Sequence, residues 1–263
     1  VDIASLIGLL AGIIFTILAI IFGADVAAIV DFGDAASVMI VIGGTFASTL
    51  IAYPMDSFLK ALKAIKLVFS PPKFNHGEAI ARIITLSNLA RREGVLALEE
   101  TAQNMDDPFL KKGIMLVVDG GDPELVRSVL ETEMTYVENR HNSIAAVWDS
   151  ISAYAPAWGM IGTMIGMVLL LGDIQDMDAL VANMSIVLIT TFYGGILSNF
   201  LATPVANKLR AINAEEMLQK EVLIEGMLSI QAGENPRIIE EKLKAFIAPS
   251  LRTPDEPAAG REG

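Results

Sequence analysis

No cysteine occurs in the 263 residues, which removes disulfides, thiolate metal sites and cysteine nucleophiles together. Histidine is scarce too: His76 and His141 are the only two, too few to supply a histidine metal centre or a triad with a spare. Basic residues are outnumbered, 19 Lys and Arg against 31 Asp and Glu, a net charge of −12. Such an acidic chain lacks the electrostatic footprint of a nucleic-acid partner. Gly120-Gly121 is not followed by the Gly-Lys-Ser/Thr of a phosphate-binding loop. No internal period of the solenoid kind is visible. Nucleophile–base set, metal ligands and cofactor loop are therefore all missing. The expectation is a protein that is not an enzyme and carries no cofactor.

Apolar sequence is abundant. Hydrophobic residues make up 53% of the chain and the mean hydropathy is +0.52, values of a membrane protein. A bilayer core about 30 Å thick takes roughly 20 apolar residues as a helix. Ile3–Gly23, Ala35–Met55, Ile151–Gly172 and Val181–Ala206 meet that length. The first has no basic n-region and is too long for a signal-peptide core, so it reads as a retained anchor. All basic residues lie in two blocks, eleven from Lys60 to Arg140 and eight from Lys208 to Arg261. The loops Ala24–Asp34 and Asp173–Met184 carry acids only. The positive-inside rule then places both termini and the middle segment in the cytoplasm.

The expected fold is all-α, a polytopic membrane protein with four transmembrane helices and a helical cytoplasmic domain. Residues 1–55 hold the first two spans with a short outer loop. Residues 56–150 form the cytoplasmic domain, 151–206 the third and fourth spans, and 207–263 cytoplasmic helices with a disordered tail. Within the middle, Ile80, Ile83, Ile84 and Leu86 give Gly77–Glu93 an apolar stripe, and Gly94 ends it. Val95–Gln103 and Pro108–Val118 read as short helices. Asp122-Pro123 supplies an N-cap and first helical position. No breaker follows until the third span, which predicts one helix of about 50 residues, or about 75 Å. The fourth span likewise runs on past Pro204 to a stop at Gly233, and Asn235-Pro236 starts a last helix. Trp148 suits a membrane-interface anchor. Trp158, inside the span, suits a subunit interface.

The third span contains APAWGMIGTMIGM, residues 155–167, with a proline, three glycines and one threonine. Pro156 has no N–H, so the carbonyl of Ser152 loses its helical partner. In lipid a backbone group needs a partner inside the protein or a water-filled cavity. Gly159 and Thr163 follow at helical spacing, so a freed carbonyl, bare backbone and a hydroxyl are expected along one strip. The fourth span offers Thr190-Thr191, Gly194-Gly195, Ser198 and Ala202, ending at Pro204. Small residues at this spacing suit either close helix packing or the border of a narrow polar path. The interiors of all four spans hold no Asp, Glu, Lys, Arg or His. A self-sufficient transporter normally places an ionisable group there. Hydroxyls and carbonyls replace water around a cation without balancing its charge. If a cation crosses here, another subunit supplies the carboxylate.

The long motifs APAWGMIGTMIGMVLLLG and LITTFYGGILSNFLATPVANKL, with ARREGVLALEE and ENPRIIEEKL, resemble the flagellar stator A subunits, the MotA/PomA family. The resemblance covers nearly the whole chain, in order, and the wording GMIGT and TTFYGG is closer to PomA, the sodium type. It implies a homo-pentameric ring around two copies of a stator B subunit of the MotB/PomB type. That subunit brings the essential aspartate and a peptidoglycan-binding domain. It also implies the bacterial inner membrane, a rotor ring protein as second partner, and Na⁺ or H⁺ as transported ion, with sodium favoured. Carried over by motif, Pro156 and Pro204 couple ion passage to shape change. Thr163 and Thr191, with Thr190 and Gly159 beside them, line the ion pathway and offer a transient sodium site. Asp31 gathers cations at the outer entrance. Arg91, Arg92, Glu99 and Glu100 meet the rotor. An ExbB/TolQ-like energising subunit and a passive helical membrane scaffold are the alternatives.

Overall fold

The computed structural model describes residues 2–23, 26–172 and 175–247, apart from the side chains of Ala28 and Asp31. The expected tail beyond 247 lies outside the described residues. Among the described residues every regular element is helical, as expected. In chain order these are α1 (Ile3–Gly23), α2 (Ala35–Ala52), α3 (Met55–Phe69), α4 (His76–Glu93), α5 (Leu98–Gln103), α6 (Pro108–Val118), α7 (Pro123–Gly172), α8 (Met177–Gln231) and α9 (Pro236–Lys244). Short 3₁₀ turns cover Val26–Phe32 and Val95–Ala97. Four of the helices, α1, α2, α7 and α8, are long and apolar enough to cross a membrane. Two of them contain a π-helical stretch, Met39–Gly43 in α2 and Ile196–Ala202 in α8.

The boundaries follow local chemistry. Asn75, Asp107, Asp176 and Asn235 each accept an N–H of the first helical turn, and Asp122 does so for α7. Asp34 caps α2 in the same way, accepting the Ser37 N–H at 2.6 Å. Gly94 closes α4 at φ +89° and Gly233 follows α8 at φ +69°, a region that disfavours side chains. With no breaker between Pro123 and the third span, α7 is one helix of 50 residues, as the sequence implies. Pro156 sits inside it. Helix α3 was not anticipated; the expected cytoplasmic stretch begins inside it.

The described residues form two compact units, residues 2–72 with 140–212 and residues 73–139 with 213–247. This grouping departs from the linear division at residues 55, 150 and 206. In the first unit Phe58 and Ala61 of α3 pack against Ala145, Trp148 and Ile151 of α7 and against Ala202 and Val205 of α8. The indole N–H of Trp148 donates to the Ala61 carbonyl at 3.1 Å, and the ring is buried. Trp148 is thus a core residue that fastens α3, not an exposed interface anchor. Helix α1 contributes no buried residue. It is held at its start, where the Asp2 N–H donates to the Phe69 carbonyl at 2.8 Å and the carboxylate pairs with Lys208. Hydrogen bonds from Lys208 and Ser5 hold the Asp2 carboxyl at about 2, well below its ordinary range.

The second unit is built on apolar stripes. Ile80, Ile83 and Leu86 of α4 meet Leu110 and Ile114 of α6, Leu130 of α7, Met227 of α8 and Ile239 of α9. Ile84 lines the edge of this core rather than its centre. One acid is built into it. Glu225, 16% exposed, pairs with Arg127 and with Lys242 at 3.2 Å. Burial raises the Glu225 carboxyl, but the hydrogen bonds from Arg127 and Lys242 outweigh it and leave the group below its ordinary value. A carboxyl depressed by folding stabilises the fold above its unfolded pKa, near 4.5, and that contribution is lost as pH falls through the lower folded value.

Replacing Glu225 with Ala strands two cations and is expected to cost about 1–3 kcal/mol, less than a fully buried pair because Arg127 stays partly solvated. Thermal melts of the detergent-solubilised chain test this. The difference from wild type shrinks as pH falls below 4.5, where the carboxyl of the unfolded chain protonates before that of the folded protein. A gap of the same size at pH 3.5 and pH 7 contradicts the assignment.

Candidate functional site

The outer parts of α7 and α8 meet through glycine. A Cβ placed on Gly162 falls 2.5 Å from the Thr190 side chain, and one on Gly166 falls 2.7 Å from Val187. On the facing helix, a Cβ on Gly194 falls 2.7 Å from the Ala155 carbonyl oxygen and 3.2 Å from the Pro156 Cα. Backbone-to-backbone approach of this kind is what small residues permit in lipid, where apolar side chains gain little by meeting. Gly159 joins the contact, its missing Cβ lying 3.0 Å from the Thr190 carbonyl and 3.5 Å from the Thr191 Cα.

This contact divides the strip expected from the sequence. Gly159, Thr190, Gly194, Ser198 and Ala202 are buried. Pro156 and Thr191 are exposed, and Thr163 is half-buried. Thr190 returns its hydroxyl to the Ile186 carbonyl at 2.8 Å and is spent inside the helix pair. Gly159 and Thr190 are therefore packing residues here, while Pro156, Thr163 and Thr191 keep an open face. Thr163 donates to the Met160 carbonyl at 2.6 Å and Thr191 to the Val187 carbonyl at 3.4 Å. A threonine that donates backwards in this way still has oxygen lone pairs for a cation. Met160, Met164 and Met167 flank them, all exposed.

The carbonyl freed by Pro156 is not open. Ser198 of α8 donates its hydroxyl to the Ser152 carbonyl oxygen at 2.8 Å. The Ser152 hydroxyl lies 2.9 Å from that of Ser198 and 2.7 Å from that of Thr203. The expectation that this carbonyl lines a path is corrected: a hydroxyl from the neighbouring helix takes the place of the missing amide. Ser198 lies in the π-helical stretch Ile196–Ala202, and its own carbonyl accepts the Thr203 N–H. Pro204 follows at once. Sequence reasoning placed Ser198 among small packing residues and missed this bond. The only signal was a hydroxyl residue four positions after Gly194, on the face that Gly194 presents to Pro156.

Trp158 lies over Gly44 of α2, where an added Cβ would sit 2.2 Å from the ring, and its N–H donates to the Ser48 hydroxyl at 2.9 Å. One side of it packs within the chain against α2, and the residue stays half-buried. The side chain of Asp31 lies outside the described residues. Asp34 beside it is occupied as the cap of α2. In the second unit, Arg91 and Arg92 end α4, and Glu99 and Glu100 open α5 across the turn at Gly94. All four are exposed, and among the described residues none of them makes an ion pair. Leu96, 74% exposed, stands between the two charge groups.

A family profile described as the MotA/TolQ/ExbB proton channel family matches residues 101–222. The motility protein A of Treponema pallidum is 37% identical over 251 residues, covering 95% of this chain and 96% of that protein. The chemotaxis protein PomA of Vibrio alginolyticus is 36% identical over 246 residues, covering 94% and 95%. The two identities, 37% and 36%, are too close to favour one name over the other. The flagellar MotAB stator complex from Bacillus subtilis has a chain similar to this one at TM-score 0.86 and 31% identity, covering 95% of this chain and 98% of that one.

Two adjacent glycines separate packing from propensity. Gly194→Ala puts a methyl against backbone at Ala155 and is expected to lower the thermal midpoint of the solubilised protein by several degrees. Gly195→Ala meets nothing within 4 Å and is expected to be neutral or slightly stabilising, since Ala is the better helix former. Equal midpoints for the two variants contradict the close approach.

Proposed function

The chain belongs to the MotA/PomA family of flagellar stator A subunits, and on that premise we propose that it forms the uncharged wall of a sodium path that drives a flagellar rotor. The carrying observation is that four membrane-length helices contain no ionisable residue in their apolar interiors, while α7 and α8 keep an open face bearing Pro156, Thr163 and Thr191. A cation crossing such a face is hydrated by oxygens but not neutralised. A B subunit of the MotB/PomB type supplies the carboxylate, and the similarity to a MotAB stator complex supports that partner. The exposed methionines beside Pro156 offer an adaptable surface for its membrane helix. The ring of five around two B subunits follows from the family resemblance.

Sodium is favoured by the two hydroxyls, Thr163 and Thr191, whose lone pairs face outward while their protons point back into the helix. The chain sits in the inner membrane with both termini inside. The exposed Arg91, Arg92, Glu99 and Glu100 engage a rotor ring protein. Charges left unpaired on a surface steer and orient a partner more than they hold it, which suits a contact made and broken at every step. A relative matched over 96% of its length weighs against an ExbB/TolQ-like role or a passive scaffold.

In a host without its own stators, co-expressed with a cognate B subunit, swimming speed at fixed pH is expected to rise with sodium. Thr191→Ala is expected to raise the half-saturating sodium several-fold with the membrane level of the complex unchanged. A speed that ignores sodium and follows pH overturns the ion assignment. Arg91→Glu is expected to cut motility, and a compensating reversal on the rotor to restore part of it. If Arg91→Glu swims normally, the rotor surface lies elsewhere. The purified chain alone, reconstituted in vesicles, is expected to pass no current above leak.

A further inference from the structure

The three hydroxyls around Pro156 have only one consistent donor order. Ser198 has one proton, and the Ser152 carbonyl, which accepts only, takes it. The 2.9 Å contact between the Ser198 and Ser152 hydroxyls must then be a donation from Ser152. The 2.7 Å contact between Ser152 and Thr203 must in turn be a donation from Thr203. The relay runs Thr203 to Ser152 to Ser198 to the carbonyl that Pro156 set free. It begins next to Pro204 and ends opposite Pro156, so it spans the two helix-breaking residues of the third and fourth spans. Ser198 is 5% exposed, inside a π-helical stretch whose wider turn presents it to α7.

We propose that Ser198 is a positioning residue for the ion path: its hydroxyl is the removable substitute for the amide that Pro156 lacks. It latches α7 to the π-helical stretch of α8. A normal helix interior resists bending at every turn through its own ladder. At Pro156 that ladder is interrupted, and the carbonyl it frees is taken by one side-chain bond from a second helix. Moving α7 away from α8 at Ser152, one turn before Pro156, requires that bond to open, and opening it frees the Ser152 and Thr203 hydroxyls at the head of Pro204. Movement of the wall is thereby communicated to α8 where its helix type changes. The role in ion passage rests on the stator reading above; the bond itself does not.

The test is a double-mutant cycle on the complex of this chain with its B subunit. Ser198→Ala is expected to lower the thermal midpoint by several degrees when residue 156 is proline. In a Pro156→Ala background the amide returns to the Ser152 carbonyl, and Ser198→Ala is expected to have little or no effect. Additive effects in the two backgrounds overturn the latch whatever ion the stator uses. Speed is read in parallel: Ser198→Ala is expected to slow swimming at saturating ion at least several-fold, with the membrane level of the complex unchanged. Full speed at full level overturns the positioning role. Should Ser198→Ala fail to accumulate, Ser152→Ala cuts the relay behind the carbonyl bond and is expected to slow swimming about two-fold or more at normal level; wild-type speed in that variant overturns it. Loss of sodium dependence in the wild type, with a non-additive cycle, refutes the ion assignment and leaves the latch standing.

Discussion

A backbone carbonyl cannot be left alone in hydrocarbon, and that constraint organises the first unit of this protein. Pro156 breaks the ladder of a helix 50 residues long, and a side chain of the neighbouring helix replaces the amide. The neighbouring helix has to come close enough for a serine to reach across. Closeness of that order needs bare backbone, and Gly159, Gly162 and Gly194 provide it. Reach needs the serine turned toward the gap, and the π-helical stretch before Pro204 turns it. The proline, the glycines, Ser198 and the change of helix type are then one arrangement with one cause. Thr190, buried and bonded to its own helix, belongs to the same contact.

Magnitudes suggest why a hydroxyl stands where an amide would. An unpaired buried carbonyl costs about 1–3 kcal/mol, whereas a made hydrogen bond contributes about 0.5–1.5 kcal/mol net. A cation moving down a membrane potential releases about 2.3 kcal/mol per 100 mV. One ion therefore carries enough to open one such bond, but not to unwind several turns of an intact helix. A ladder of backbone bonds would make α7 rigid on that scale; an orphan carbonyl would leave it without a defined resting shape. A single exchangeable side-chain bond lies between the two.

Much of this architecture is written plainly in the sequence. Charge-free runs, capping acids and Pro or Gly at helix ends place the helices, and Pro108–Val118 is found as expected. Where local pattern was weak, sequence reasoning fell short. Helix α3 is amphipathic and short, and its role emerges only when Ala61 receives the Trp148 indole. The two π-helical stretches have no compositional mark, since they depend on tertiary contacts that shift a ladder by one residue. At the site, the residue types were legible but not their facing. A threonine pair reads the same on either helix face, yet Thr190 packs inward and Thr191 looks out. The contact of Trp158 with α2 leaves no local mark, because the glycine and serine that receive it, Gly44 and Ser48, are more than a hundred positions away.

The charges of the second unit divide by the same test of whether a partner is present. Glu225 is enclosed, and two cations answer it; its value to the protein is that the core closes around a satisfied acid. Arg91, Arg92, Glu99 and Glu100 have solvent on their open sides and no answering charge within the described chain. Isolated surface charges contribute little to stability, so folding gives no reason to gather four of them about one turn. Leu96, set between them and 74% exposed, is no more useful to a solvated surface. Gly94 turns the backbone at φ +89° so that the end of one helix and the start of the next present these groups together. Opposite signs on the two helix ends give that surface a direction. Such a surface would orient a complementary partner more than it would hold it.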